Sequence, residues 1–397
     1  MIITSLLSLT IALQSPAPSP PAVVPQNALQ RTAPKLWGLE FSVVINTLDV
    51  ENNKRPFRMP LIIDGPWSQM ADENTLHADT FSGNTIIQTK RGKEAVKGTG
   101  LMGESMIQLE VPLGPARFSA MRLQAEVASW GAAIDEKLAQ QSSWPTKWPE
   151  QTKAALQPQA MIESKEPIFK RTIDTIFEGN IQRFSPWIAA KKIVQFTCEN
   201  VQLTGGRSVY GRMGTRGLNM QGALLTAESG MGSRSDLVCT CVAMLRAAGI
   251  PARPVVGLSE EVDNGKELTT WAEFFLPGSG WVPFSPWQMK NAGMRSWKLD
   301  RSWRFFGNWK DLNENIPISW TFAPGDGTTV HDTWGVWGWT RAVTGAEIPI
   351  MEKNDESNVE FFPSKISARM ISGSSLNERS YRAWLEGTTR PLIRRNK

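Results

Sequence analysis

Two stretches decide the reading of this chain: LRAAGIPAR at residues 245–253 and TTWAEFFLPGSGWVPFSPW at residues 269–287. In the first, Gly249-Ile250-Pro251 follows an apolar run. A glycine just past the last turn and a proline soon after stop a helix, because proline has no N–H to donate and clashes with the preceding turn. That run begins after Gly232-Ser233-Arg234-Ser235-Asp236, where Ser233 and Asp236 stand at capping-box spacing, so a helix is predicted from about Ser235 to Ala248. Downstream, RPVVGL (253–258), LTTWAEFFL (268–276) and WVPFSPW (281–287) have the β-branched and aromatic content of strands. Pro277-Gly278-Ser279-Gly280 between the last two is a turn signal. A hairpin symmetric about Pro277 places Thr269 opposite Ser285.

Upstream, Ser185-Pro186 followed by WIAAKKIVQFTCEN predicts a capped helix over 185–200, with Trp187, Ala190, Ile193, Val194 and Cys198 on its apolar face. A Gly-rich loop, TGGRSVYGRMGTRG, and the short segment QGALLTAESGMGS connect it to the 235–248 helix. Over about residues 160–290 this order resembles the core of the transglutaminase-like, papain-related superfamily. The most specific pieces are LRAAGIPAR, Trp271 and the Gly280-Trp281 pair. The resemblance implies an α+β, cysteine-proteinase-type fold. It also implies a catalytic triad of Cys in Gly-x-Cys-x-Asp, His in His-Ala-Trp and Asp after the Gly-Trp strand.

In this chain those three positions are Arg234, Thr269 and Ser285, while Gly232 and Asp236 match the family pattern. A thiol at a helix N-terminus is activated by unpaired backbone N–H groups and a neighbouring imidazole. Arginine stays protonated and offers no nucleophile, and its charge opposes the positive end of the helix dipole unless an anion shares the site. The Thr269 hydroxyl is no base at neutral pH, and Ser285 cannot orient an imidazolium. Neither nearby cysteine replaces the missing thiol. Cys239 is rotated about 140° round the helix from Arg234, and Cys241 lies about 10 Å further along the axis. Both read as small buried residues. His77 falls in a predicted β region, and His331 beside Asp332 reads as a loop or strand-edge residue. Asp236 is accounted for as a helix cap and Glu273 as a partner for Arg253 or another base.

The resulting expectation is a pseudoenzyme that serves as a binding or scaffold module for a peptide or envelope ligand, its partner being a peptide, a protein or an anionic ligand, with Arg234, Thr269, Trp271 and Ser285 as candidate ligand contacts. The competing expectation is an amide hydrolase or protein-glutamine acyltransferase with a rearranged thiol site. No cofactor is implied, and the spacing of Cys198, Cys239 and Cys241 fits no metal site.

Around this core, residues 2–13 (IITSLLSLTIAL) form an apolar run too short to span a bilayer, so residues 1–14 read as a signal peptide and the mature chain as secreted or periplasmic. No basic residue precedes the run. Residues 15–35 form a Pro-rich linker. From 36 to 130, LEFSVVINTL, NTIIQTK, SMIQLEV and ARFSAMRLQAEV alternate as strands of a β-sandwich or barrel domain. Residues 131–159 are a connector with helical spacing over Ala132–Gln141, the transglutaminase-like domain occupies 160–290, and a Trp-rich β extension runs over 291–397. Trp297, Trp303, Trp309, Trp320, Trp334, Trp337 and Trp339 in that extension read as core packing. The 397 residues carry 43 basic and 38 acidic side chains with no long basic run, a balance that does not point to nucleic acid.

Overall fold

The computed structural model describes residues 27–46, 56–71, 75–82, 85–110, 118–205, 208–209, 217–218, 220–262, 267–293, 297–322, 328–330, 338–340 and 365–372. Its architecture is α+β: two N-terminal sheets, and a helical layer against a four-stranded sheet. The first N-terminal sheet runs in the order Lys365–Ser372, Leu29–Asn46, Phe118–Ile134, His77–Ser82, Thr85–Arg91, with Ser68–Met70 also pairing to Phe118–Ile134. The second runs Thr328–Val330, Gly338–Thr340, Pro56–Leu61, Ser105–Glu110, Val96–Thr99. Period-two alternation explains the long pair at the centre of the first. Trp37, Leu39 and Phe41 are buried and stand opposite Val127, Ala125 and Leu123, so one face of the ladder is a row of apolar cross-strand pairs.

Two boundaries differ from the sequence expectation. The first strand begins at Leu29, inside the stretch read as linker, and a bulge between Thr32 and Lys35 takes up Pro34. A bulge is where a residue without an N–H can sit within a sheet. The 118–134 strand then runs through the start of the predicted Ala132–Gln141 helix. The helix is delayed because Asp135 caps it, its carboxylate accepting from the N–H groups of Lys137 and Leu138 at 2.9 and 3.1 Å.

The helices are α1 (Glu136–Gln140), α2 (Pro167–Phe177), α3 (Pro186–Asn200), α4 (Ala223–Ser229), α5 (Arg234–Ala247) and α6 (Pro286–Asn291). Helix α5 is central, buried from Ser235 to Arg246, and packs on α3 and on the core sheet. That antiparallel sheet has the order Gly280–Phe284, Leu268–Leu276, Ala252–Ser259, Asn315–Ser319. Gly257 is required where Trp271 crosses it: a Cβ there would stand 2.3 Å from the Ile316 carbonyl oxygen and 2.6 Å from the Trp271 ring.

The stretch after 290 is divided between the layers. Asn315–Ser319 completes the core sheet, whereas Gly338–Thr340 and Lys365–Ser372 join the N-terminal sheets. Trp303, Trp309 and Trp320 are buried in the core. Trp334, Trp337 and His331 lie outside the described residues. Fully buried Lys191 of α3 binds several segments together, pairing with Glu136 and donating to the carbonyls of Leu299 and Arg301 at 3.1 and 2.6 Å. Among the described residues no helix is long and apolar enough to cross a membrane.

Candidate functional site

The start of α5 is fixed by reciprocal hydrogen bonds. Ser233 Oγ accepts from the Asp236 N–H at 3.1 Å, and Asp236 Oδ2 accepts from the Ser233 N–H at 2.9 Å. Asp236 Oδ1 accepts two more backbone N–H groups, from Gln221 at 2.8 Å and Gly222 at 3.0 Å. The carboxylate thus ties the segment before α4 to the first turn of α5, and the acid is committed to structure.

Arg234 occupies the first position of α5 and is partly exposed. Its guanidinium carbon lies 4.5 Å from the centroid of the Trp287 ring, a cation–π distance. Trp287 is fixed in turn by its Nε1–H, which donates to the Thr270 carbonyl at 3.1 Å. Thr270 Oγ1 donates to Ser235 Oγ at 3.1 Å. The helix start, Trp287 and the 268–276 strand therefore form one contact network.

The hairpin register corrects the expected pairing of Thr269 with Ser285. Ala272 stands opposite Phe284 and Phe275 opposite Trp281, so the ladder is centred on Gly278 and continues to put Ser285 beside Trp271. Thr269 instead stands opposite Gly257 on the neighbouring strand. Successive strand residues face opposite sides, so Thr270, which contacts Ser235, faces α5, and Thr269 faces the other side of the sheet. The chain leaves the sheet at Ser285: Pro286 is the first residue of α6, so the SPW of the predicted third strand is a helix start. Proline lacks the N–H that continued pairing needs.

Ser285 is completely buried, and its hydroxyl finds no hydrogen-bond partner among the described residues. Trp271 is 2 % exposed and packs edge-on against Trp309 at 6.3 Å. Of the four candidate contacts, Arg234 and Thr269 reach solvent in this conformation, whereas Trp271 and Ser285 do not.

All three cysteines are buried free thiols. Burial first, then the charges of Asp236 and Glu163, pushes the Cys239 thiol well above its ordinary value. Burial also dominates at Cys241, with a further upward contribution from Cys198. Glu273 faces Arg253 directly in the ladder, and Arg253 Nε donates to Glu273 Oε2 at 2.8 Å. The guanidinium is sandwiched between Trp281 and Trp320, 3.9 and 3.6 Å from their centroids. Burial lowers the Arg253 pKa and raises that of Glu273, while the charge of each opposes the shift of the other. His77 lies in the His77–Ser82 strand of the N-terminal sheet. Among the described residues no group of three or more His, Cys, Asp or Glu side chains is arranged to hold a metal ion.

Helices α3 and α5, the strands that follow and the start of α6 span the segment that matches the family model of the transglutaminase-like superfamily, residues 184–286. This segment is a transglutaminase-like domain. Three solved structures resemble the chain more loosely. One is a candidate cysteine protease from Cytophaga hutchinsonii, with 12% identity, 79% of this chain and 99% of that one covered, and a TM-score of 0.44. The periplasmic domain of TgpA from Pseudomonas aeruginosa has 15% identity, covers 66% and 91%, and scores 0.31. A candidate protease from Parabacteroides distasonis has 10% identity, covers 70% and 72%, and scores 0.23. With TM-scores below 0.5, none of the three bears on the chemistry of the site. No curated protein matches the chain.

The sequence reading overlooked Thr270 and Trp287. Strand alternation counted from buried Ala272 and Phe274 would have placed Thr270 on the helix side. The Ser285-Pro286 pair carries the same helix-start signature as Ser185-Pro186.

Proposed function

We propose that this transglutaminase-like protein is a pseudoenzyme, exported by way of its N-terminal apolar segment, that binds a peptide or envelope ligand instead of cutting or crosslinking it. The observation that supports this reading is the contact of Arg234, the residue that the sequence correspondence sets at the nucleophile position, with the Trp287 ring. A guanidinium cannot attack a carbonyl, and protonated buried thiols are poor nucleophiles. The partly exposed surface at Arg234 and Trp287 suits a ligand that presents a carboxylate and an apolar or planar group, because arginine forms paired hydrogen bonds with carboxylates and a ring face adds contact area.

Thermal unfolding in the presence of graded concentrations of an acidic peptide tests the reading. The wild type is expected to gain stability with ligand, Arg234→Lys to retain part of the gain and Arg234→Ala to lose it. Equal gains in wild type and Arg234→Ala contradict the assignment.

A further inference from the structure

The described residues begin at the tip of the hairpin formed by the 268–276 and 280–284 strands. Ala28 is buried, its N–H donates to Ser279 Oγ at 3.1 Å, and its carbonyl accepts from the Asp135 N–H at 2.8 Å. Ser279 is two residues from Trp281, where a row of half-buried aromatic rings starts. Trp281 stands opposite Phe275 in the ladder with 5.4 Å between centroids, Phe275 meets Trp148 of the connector at 6.3 Å, and Trp148 meets Trp144 at 6.5 Å. The interplanar angles are 81°, 85° and 78°, so near-perpendicular rings leave clefts between them instead of one flat platform. Phe275 is on the opposite face of its strand from Thr270, which meets α5, so the row is separate from the contact of Arg234 with Trp287.

We infer that this row is a docking site for the chain's own segment SPAPSPPAVVP, residues 15–25, which lies outside the described residues. Pro16, Pro18, Pro20, Pro21 and Pro25 punctuate the segment and no residue in it is charged, so it suits apolar clefts. Grooves between aromatic rings recognise proline-rich chain in the polyproline II form, because that form is set before binding and little entropy is lost. It rises about 3.1 Å per residue, so two residues advance about 6 Å. That advance matches the ring-to-ring steps of 5.4, 6.3 and 6.5 Å. The occupant is this segment and not a foreign peptide because of where it is tied: only Gln26 and Asn27 separate Pro25 from the anchored Ala28. A tether that short gives an effective concentration on the order of 1 mM at the first ring.

The experiment places a photoreactive benzoylphenylalanine at position 22 of the full chain, in place of Ala22, irradiates it mixed with an isotopically heavy copy, and maps the crosslinked peptides by mass spectrometry. The expected result is crosslinks within one molecule, from position 22 to the peptides that carry Trp144, Trp148, Phe275 or Trp281. Their yield should fall about fivefold in Trp148→Ala, through loss of an aromatic contact. Because that change could also disturb the connector, a second variant alters only the segment: Pro18→Ser, Pro20→Ser and Pro21→Ser together should lower the yield in the same way. No crosslink to these four aromatic residues, or a yield unchanged in the triple proline variant, overturns the inference. Crosslinks that join light to heavy chains also overturn it, and assign the row to a second copy. None of these results involves Arg234, so the proposed binding function stands or falls separately.

Discussion

The Trp287 ring lies against the Arg234 guanidinium, 4.5 Å from centroid to carbon, at the first position of α5. A cation at the first position of a helix is opposed by the helix dipole, and the ring face compensates part of that cost. Replacing Trp287 with Ala removes the stack, the Nε1–H donation to Thr270 and the buried part of the ring. Together these are expected to cost about 2–3 kcal/mol in urea unfolding. Trp287→Phe keeps a ring and should cost about 1 kcal/mol, chiefly the hydrogen bond.

Asp236 offers a sharper contrast. Ser233→Ala removes one cap and should cost about 1 kcal/mol. Asp236→Ala orphans the N–H groups of Gln221, Gly222 and Ser233 and should cost about 3–4 kcal/mol, counting one charge-assisted hydrogen bond or more lost in a buried setting. Equal losses in the two variants would contradict the structural role given to the carboxylate.

For the Arg253–Glu273 pair, both side chains are buried, at 4 % and 2 % exposure. Glu273→Ala removes the carboxylate hydrogen-bonded to the buried Arg253, leaves the cation between Trp281 and Trp320 with only the charge of Glu104 to oppose it, and should cost about 3 kcal/mol. The double variant Arg253→Met with Glu273→Leu should recover much of that loss, because removing both charges also removes the desolvation cost. Chemical denaturation of the wild type, Glu273→Ala and the double variant measures both effects.

The thiols set a pH dependence. Cys239 and Cys241 have pKa values raised well above the ordinary value by burial. The folded state therefore keeps protons that the unfolded state releases, at about pH 8.5 for an unperturbed thiol. Their contribution to stability is fully present below that pH and lost as pH rises through the folded values. Reduced wild type should accordingly lose stability above about pH 8.5 more steeply than Cys239→Ala. Iodoacetamide should leave the native thiols unmodified at pH 8 and label them after unfolding.

Much of this domain was legible because its signals are local. The Ser185-Pro186 start, the Ser233–Asp236 box and the Gly249-Ile250-Pro251 stop placed α3 and α5 to within a residue or so. The hairpin register was not, since shifting the centre from Pro277 to Gly278 keeps every residue on its face and leaves the alternating pattern unchanged. Pairing of the Trp-rich C-terminal stretch with three different sheets was also hidden, because long-range partners leave no mark on a strand's own sequence. The stacking of Arg234 on Trp287 depends on α6 turning back over α5, a tertiary event that the Ser285-Pro286 signature announces only as a helix start.

The central claim is that this transglutaminase-like domain carries no thiol-dependent acyl transfer. The direct measurement is incorporation of a labelled primary amine into a glutamine-containing peptide, with hydrolysis of the same peptide followed in parallel. It is made on reduced wild type and on Cys198→Ala, Cys239→Ala and Cys241→Ala. The account predicts that the wild type gives no product above the protein-free control. Turnover by the wild type that disappears in any one of the three variants would contradict it.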